Sequence, residues 1–230
     1  INWTKHPTPV LTASYRWEEA GVLEPSVIYD EDEQIFKMWY ASWGSYYGRW
    51  QGYVGYATSP DGINWQKHPE PIFLPEAGSW DSELVGHENV IKDPNGGYHL
   101  VYVGTDGLGT SGLYGIGHAY SEDGIHWERN PDNPITTREP GTWKSGMVGG
   151  PTPVFYNGKL YLYYFGSQNN QVWTKVYFGL SIGQFEGDGN NPPVLNPIGN
   201  KSINEGQTLS FTVSASDPDG DALVYSASNL

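Results

Sequence analysis

Ile1-Asn2-Trp3-Thr4-Lys5-His6-Pro7-Thr8-Pro9-Val10-Leu11 returns as Ile63-Asn64-Trp65-Gln66-Lys67-His68-Pro69-Glu70-Pro71-Ile72-Phe73. It returns again, more loosely, as Ile125-His126-Trp127-Glu128-Arg129-Asn130-Pro131, running on to Pro134-Ile135. The Trp residues of this stretch stand 62 positions apart each time. Trp17, Trp80 and Trp143 are spaced by 63, and Ser59-Pro60-Asp61-Gly62 matches Ser121-Glu122-Asp123-Gly124. Val27-Ile28, Val90-Ile91 and Val154-Phe155 lie 63 and 64 apart. Landmarks recurring in phase mark a structural repeat, each copy one supersecondary unit.

Each unit holds four strand-like runs. In the first complete unit these are Ser26–Tyr29, Ile35–Tyr40, Gly52–Thr58 and the run from Trp65 to Phe73, separated by an acidic turn and by Asp61-Gly62. The later units carry Asn95-Gly96 and Asn157-Gly158 where the first has its acidic turn, and Asn-Gly is a favoured hairpin signal. Four antiparallel strands per repeat are what a β-propeller blade requires. The period exceeds the ~40–50 residues of common propeller repeats, so the blades carry long loops, and loops on a rigid scaffold are where function concentrates. Blades are expected at about 17–74, 80–136 and from Trp143 to about 183, with residues 1–11 as the last strand of another. Three and a fraction blades close no wheel, so the expectation is the C-terminal part of a larger propeller over residues 1–187.

The texture changes after a Gly/Asn/Pro linker at 188–193. In residues 194–230 aromatics thin out, and the segment reads as polar strands, Gln207–Val213 and Ala222–Ser226. Asn204-Glu205-Gly206-Gln207 and Ala215-Ser216-Asp217-Pro218-Asp219-Gly220-Asp221 resemble the cadherin-like and Ig-like modules of extracellular bacterial proteins. Such a sandwich takes about 100 residues, so this one is expected to be truncated. Asp217, Asp219 and Asp221 alternate as hard oxygen ligands would for Ca²⁺; as a solvated turn the loop needs no metal.

Composition narrows the function classes. The 230 residues carry 12 Lys+Arg against 26 Asp+Glu, a net charge of −14, which argues against nucleic acid or an anionic membrane as partner. No run reaches the roughly 18 apolar residues that span a bilayer. The absence of Cys removes thiol chemistry, disulfides and Cys-based zinc sites. With 10 Trp, 17 Tyr, 30 Gly and 17 Pro, the chain reads as all-β with many turns. Aromatics mostly serve burial, yet an exposed ring also suits the apolar face of a sugar.

In a propeller the innermost strand of each blade lines the central hub. The segments are Val22-Leu23-Glu24-Pro25-Ser26-Val27, Val85-Gly86-His87-Glu88-Asn89-Val90 and Gly149-Gly150-Pro151-Thr152-Pro153-Val154. Carboxylates converging on an axial pocket are the material of glycoside hydrolysis, which pairs a carboxylic acid with a carboxylate. Glu24 and Glu88 are therefore the candidate catalytic residues. Trp43 and Trp50, in an aromatic stretch read as a loop, are candidate sugar-binding residues, as are His87 and Asp81. Each has a bland alternative: a hub hydrogen bond for the glutamates, a core histidine for His87, a turn cap for Asp81.

With Trp80-Asp81-Ser82 before an inner strand and Met38-Trp39-Tyr40 on the next, the blade pattern of about residues 1–187 resembles the five-bladed propeller glycosidases. These are the arabinanase/xylosidase families and their invertase and levansucrase relatives. The resemblance implies a general-base Asp on the first blade, a pKa-tuning Asp on the second and a general-acid Glu on the third. Glu24 takes the acid's position if the first complete blade here is the third, although the family has Glu, one residue, then Pro, where Glu24 and Pro25 are adjacent. Gly86-His87-Glu88-Asn89-Val90 is similar to the arabinanase segment Gly-His-Asn-Ser-Val, whose axial histidine helps hold a hydrated cation. The resemblance thus makes His87 a candidate metal ligand. No cofactor is required, and Ca²⁺, at His87 or in the C-terminal module, is the ion the sequence suggests.

Ser59-Pro60-Asp61-Gly62-Ile63-Asn64-Trp65 is also reminiscent of the sialidase Asp box. Sialidases grip a substrate carboxylate with three Arg. The chain holds four Arg in all, at 16, 49, 129 and 138, none on an inner strand. The expectation is a secreted or cell-surface, monomeric protein that hydrolyses a poly- or oligosaccharide, with this chain inactive alone. The alternative is a glycan-binding or adhesion propeller.

Overall fold

In the computed structural model, residues 1–107, 112–169, 175–184, 194–217 and 222–225 are described, and the chain divides into two compact units, residues 1–183 and 184–230. The first repeat folds as an antiparallel blade of β1 (Val22–Asp30), β2 (Ile35–Tyr46), β3 (Arg49–Ser59) and β4 (Gln66–Lys67). The second repeat gives β5 (Leu84–Lys92), β6 (Tyr98–Thr105), β7 (Tyr114–Ser121), β8 (Glu128–Arg129) and β9 (Thr136–Thr137), where β8 and β9 both pair with β7. The third gives β10 (Met147–Tyr156), β11 (Lys159–Ser167) and β12 (Val176–Gln184) in one sheet. A short helical turn, Arg16–Glu18, precedes the first blade.

The Asp-Gly turns form as their chemistry dictates. Ser59 Oγ donates to Asp61 Oδ1 at 3.0 Å, and Asp61 Oδ1 accepts the amides of Ile63 and Asn64 at 2.9 and 2.8 Å. Ser121, Asp123, Ile125 and His126 repeat the arrangement. Gly124 has a second duty. Trp39, fully buried between the first two blades, donates its indole N–H to the Gly124 carbonyl at 2.7 Å, and a Cβ on Gly124 would lie 2.8 Å from the Trp39 ring. Around Trp39 pack Tyr56, Tyr98 and Trp127. Burying such rings against one another is the dominant favourable term in joining blade to blade.

A polar network recurs with the repeat. Tyr40 Oη donates to Glu18 Oε1 at 2.8 Å and Lys67 Nζ to Glu18 Oε2 at 2.6 Å. One blade on, Tyr102 Oη and Arg129 Nε each donate to Asp81 Oδ2 at 3.0 Å. Glu18 and Asp81 are fully buried. Another inter-strand pair changes its chemistry between blades. Where the first blade sets Lys37 against Asp30, the second sets His99 against Asp93 at 2.7 Å, with His118 3.0 Å beyond. Burial, and secondarily His99, push His118 down to about 4.

Two expectations are corrected. Residues 1–11 form no strand and are almost wholly exposed, because no described strand lies beside them to complete a ladder. Their local turn persists nonetheless, His6 Nδ1 lying 2.8 Å from the Thr8 carbonyl as His68 Nδ1 does from Glu70. In the second unit, β13 (Val194–Leu195) pairs with β14 (Ala215–Ser216), while residues 207–213 and 222–225 carry no ladder. A strand needs a neighbour to satisfy its backbone groups, and the described residues there supply one two-residue pair.

Candidate functional site

The three inner strands break register at the same place: between Leu23 and Ser26, between Gly86 and Asn89, and between Gly149 and Thr152. In each case two residues face a single tyrosine, Tyr40, Tyr102 or Tyr164, a β-bulge repeated with the blades. The first bulge residue adopts the left-handed conformation: Glu24 at φ 53°, His87 at φ 48°, Gly150 at φ 56°. Only Gly visits this region without cost, and another residue gives up roughly 1–2 kcal/mol there. Non-glycine residues held in it cluster at functional sites. Gly150 presents no side chain, and a Cβ there would come within 2.9 Å of Phe165.

The bulges bring together residues 63 apart in sequence. Glu24 Oε1 lies 2.7 Å from His87 Nδ1, and the His87 amide donates to Glu24 Oε2 at 3.2 Å. Both side chains remain open to solvent, at 53% for His87 and 40% for Glu24. A second tie between these strands runs from the Val90 amide to Ser26 Oγ at 2.9 Å. Glu88, the second residue of its bulge, turns the other way and is buried. Neither of its carboxylate oxygens has a hydrogen-bond partner among the described residues. Burial pushes its pKa well above the ordinary carboxylate range against an opposing pull from its own amide, and the negative charge of Glu24 adds a smaller push upward. An exposed carboxylate–imidazole pair thus sits beside a buried carboxyl group whose surroundings disfavour its charged form.

Because an exposed ion pair contributes little, strain at Glu24 is not offset by stability. Glu24→Gly is expected to leave the melting temperature within about 4 °C of the parent, as relief of strain balances the lost pair. A fall beyond 10 °C in a thermal melt would make Glu24 a structural residue.

The other candidates are placed differently. Asp81 is corrected: it is inaccessible and holds Arg129 and Tyr102 inside the blade, so it lines no surface for a sugar. Trp43 and Trp50 lie on a continuous hairpin, β2–β3, and not in a loop, with Trp43 half-buried and Trp50 exposed. Asp217 is half-buried in the second unit, and Asp219 and Asp221 lie outside the described residues. Among the described residues no three His, Cys, Asp or Glu side chains gather as a metal site would need. A cavity of about 670 Å³ elsewhere, lined by His6, Val10, Ile35 and Trp65 among others, carries no carboxylate. Sequence reasoning missed the bulges, although the equal spacing of Glu24, His87 and Gly150 was their signal. It also missed the Glu18–Tyr40–Lys67 network, whose members recur 62 or 63 residues on as Asp81, Tyr102 and Arg129.

No protein-family model matches the chain. An uncharacterized protein of Mycobacterium tuberculosis is 26% identical over 155 residues, which are 66% of this chain and 48% of that protein. A 1,2-β-oligomannan phosphorylase of Thermoanaerobacter sp. is 27% identical over 217 residues, covering 72% of this chain and 71% of the relative. Among solved structures, a family 117 glycoside hydrolase from Zobellia galactanivorans superposes with TM-score 0.57 at 22% identity, over 72% of this chain and 53% of its own. The β-1,2-mannobiose phosphorylase of Listeria innocua gives 0.57 at 18% identity, over 79% and 46%. A thermostable family-43 glycoside hydrolase gives 0.56 at 15% identity, over 72% and 51%. The fold is that of the propeller glycoside hydrolases. The chain spans about half the length of the first curated relative and of these structures.

Proposed function

We propose that the hub of this propeller cleaves a glycosidic bond in an extracellular oligo- or polysaccharide, with Glu24 as the group that protonates the leaving oxygen. The strained, solvent-facing Glu24–His87 pair, built across two blades by matching bulges, is the observation that carries this reading. His87 orients the carboxyl through Nδ1 and its amide together, while both side chains stay open to solvent. Cleavage needs a second carboxylate to activate water on the other face of the sugar. Glu88 is too deeply buried to touch substrate, so that second group is assigned to further blades of a whole protein of the relatives' length.

The named relative acts by phosphorolysis, so the acceptor is water or phosphate, and the products distinguish them. The 230-residue chain alone should release no reducing sugar from arabinan, xylan, fructan or β-1,2-mannan, with or without phosphate. In a whole protein with a closed wheel, Glu24→Gln should lower kcat at least 100-fold, the lower end of what general acid catalysis contributes. Turnover within tenfold of the parent would exclude Glu24 from the chemistry. Tight glycan binding with no turnover by the whole protein would favour an adhesion propeller, a reading that the exposed Trp50 supports.

A further inference from the structure

The β2–β3 hairpin outruns its blade. β1 begins at Val22, opposite Ser42, whereas β2 runs on to Tyr46 and β3 starts at Arg49. The extension therefore projects from the end of the blade that holds the Glu24 bulge. Strand residues alternate between faces and directly paired residues share one. The pairs Trp43–Gly52 and Ser45–Trp50 thus put Trp43, Ser45, Trp50 and Gly52 on one face, with Gly44, Tyr46, Gln51 and Tyr53 on the other.

The second face is filled by protein: a Cβ on Gly44 would strike the backbone of Arg16 and Trp17, and Tyr46 packs on Tyr47 and Tyr53. The first face looks toward the start of β5. A Cβ on Gly52 would meet Leu84 and the Val85 carbonyl, and Ala41, two residues before Trp43, lies 3.7 Å from the position of a Cβ on Gly86, the neighbour of His87. Trp43 is one strand repeat, about 7 Å, from that contact. Trp50 is 52% exposed, and its pairing partner is only a serine. Neither the Trp43 nor the Trp50 indole has a ring partner or a side-chain hydrogen bond among the described residues. The hairpin is also held rigid, with Gln51 Nε2 donating to the Ser82 carbonyl at 2.6 Å and Arg49 reaching Glu83 at 3.5 Å.

We infer that Trp43 and Trp50 form a stacking shelf for a sugar unit adjacent to the one bound at Glu24 and His87, so that the hub selects oligosaccharides over shorter sugars. The inference rests on the proposed function of the hub. Two indoles separated only by Ser45 and Gly52 leave a flat apolar area open beside polar hub groups, the combination that fits the C–H face of a pyranose. A rigid aromatic face contributes without a large ordering cost.

Calorimetric titration of the 230-residue chain with β-1,2-mannooligosaccharides and xylooligosaccharides, from disaccharide to hexasaccharide, tests it. Affinity should rise with length for one series. Trp50→Ala, at an exposed position that the fold does not need, should weaken the longer sugars about tenfold, the scale of one aromatic contact, and leave the disaccharide unchanged. Ser45→Arg, which fills the shelf while keeping both indoles, should do the same. If Glu24→Gln alters disaccharide binding but both shelf variants bind every length like the parent, the shelf is overturned and the hub reading stands. Equal weakening at all lengths would also overturn the shelf as a separate subsite. Failure of the unmodified chain to bind any of these sugars would overturn the shelf as a site of this chain, while the hub reading is decided by turnover of the whole protein and its Glu24→Gln variant.

Discussion

Asp30→Ala should lower the stability of the first unit by about 3–5 kcal/mol, the cost of removing one partner from a buried ionic cluster. Asp30 is fully buried at the far end of β1 from the Glu24 bulge. It accepts from Lys92 Nζ at 2.7 Å, from the Tyr98 hydroxyl, and from the amides of Asp32 and Glu33 at 3.1 and 3.3 Å. Lys37, 2% exposed, stands 3.3 Å away and also donates to Glu33 and Tyr98 at 2.6 and 2.7 Å. Lys37 and Asp30 come from the first blade, Lys92 and Tyr98 from the second, so the cluster clamps the two together. Without Asp30, Lys37 is left in the interior with one exposed counter-charge. A drop in melting temperature on the order of 10 °C is expected, and a drop under 2 °C would show that the cluster relaxes at no cost.

The same group contributes to the acid limb of stability, beside Glu18, Asp61 and Asp123. Burial by itself would raise the pKa of Asp30, but donation by Lys92, Tyr98, the Glu33 amide and Lys37 together holds it far below the ordinary carboxylate value of 3.8. A depressed folded pKa means that the unfolded chain takes up the proton first. Its stabilisation is therefore complete above the unfolded pKa and is lost as pH falls below it. Asp30→Asn should flatten that limb.

Glu88→Gln should act in the opposite direction, raising stability at pH 8 relative to the parent, because glutamine removes the cost of keeping a proton that the unfolded chain has released. Its folded pKa is raised, so the native state holds a proton that the unfolded chain releases above the ordinary carboxylate range. Stability from this group is full at acid pH and declines as pH rises from about the ordinary value of 4.5 toward the folded one. Glutamine keeps the shape and cannot ionise, so the decline should vanish. Chemical denaturation of parent and variant at pH 5 and pH 8 checks this. Equal stability differences at both pH values would show that Glu88 is ionised and partnered in the folded chain. If the variant is more stable and the whole protein is also less active, Glu88 is kept for the hub's work at the expense of the fold.

The burial of Asp81 and the meeting of Glu24 with His87 have related causes, since both depend on residues distant in the chain. Trp80-Asp81-Ser82 reads on paper like a polar turn ahead of an inner strand. What takes Asp81 out of reach is Arg129, 48 residues later, whose guanidinium needs a buried anion. The equal spacing of Glu18 and Asp81, of Tyr40 and Tyr102, and of Lys67 and Arg129 foretold that network, but only once the strand register was known. The aromatic stretch around Trp43 shows the same limit. Gly44, Gly48 and Ser45 suggested a loop, whereas Tyr47 and Gly48 alone make the turn and the rest continues the ladder. Residues 1–11 fail in the reverse sense, since a strand-like sequence forms no ladder where no described strand lies beside it.

The amino-acid order alone settled everything that depends on neighbours in the chain: the period, the Ser-Pro-Asp-Gly and His-Pro turns, the alternation of the strands, and hence an all-β wheel of repeated blades. Such features follow from dihedral preference and short-range hydrogen bonding, which travel with the residues. Tertiary structure decided that Glu24 meets His87 and that Glu88, one residue on, disappears into the interior. A bulge inserts one residue and reverses which side the next one faces, and it shows only in the register with the strand opposite, where two residues face one tyrosine.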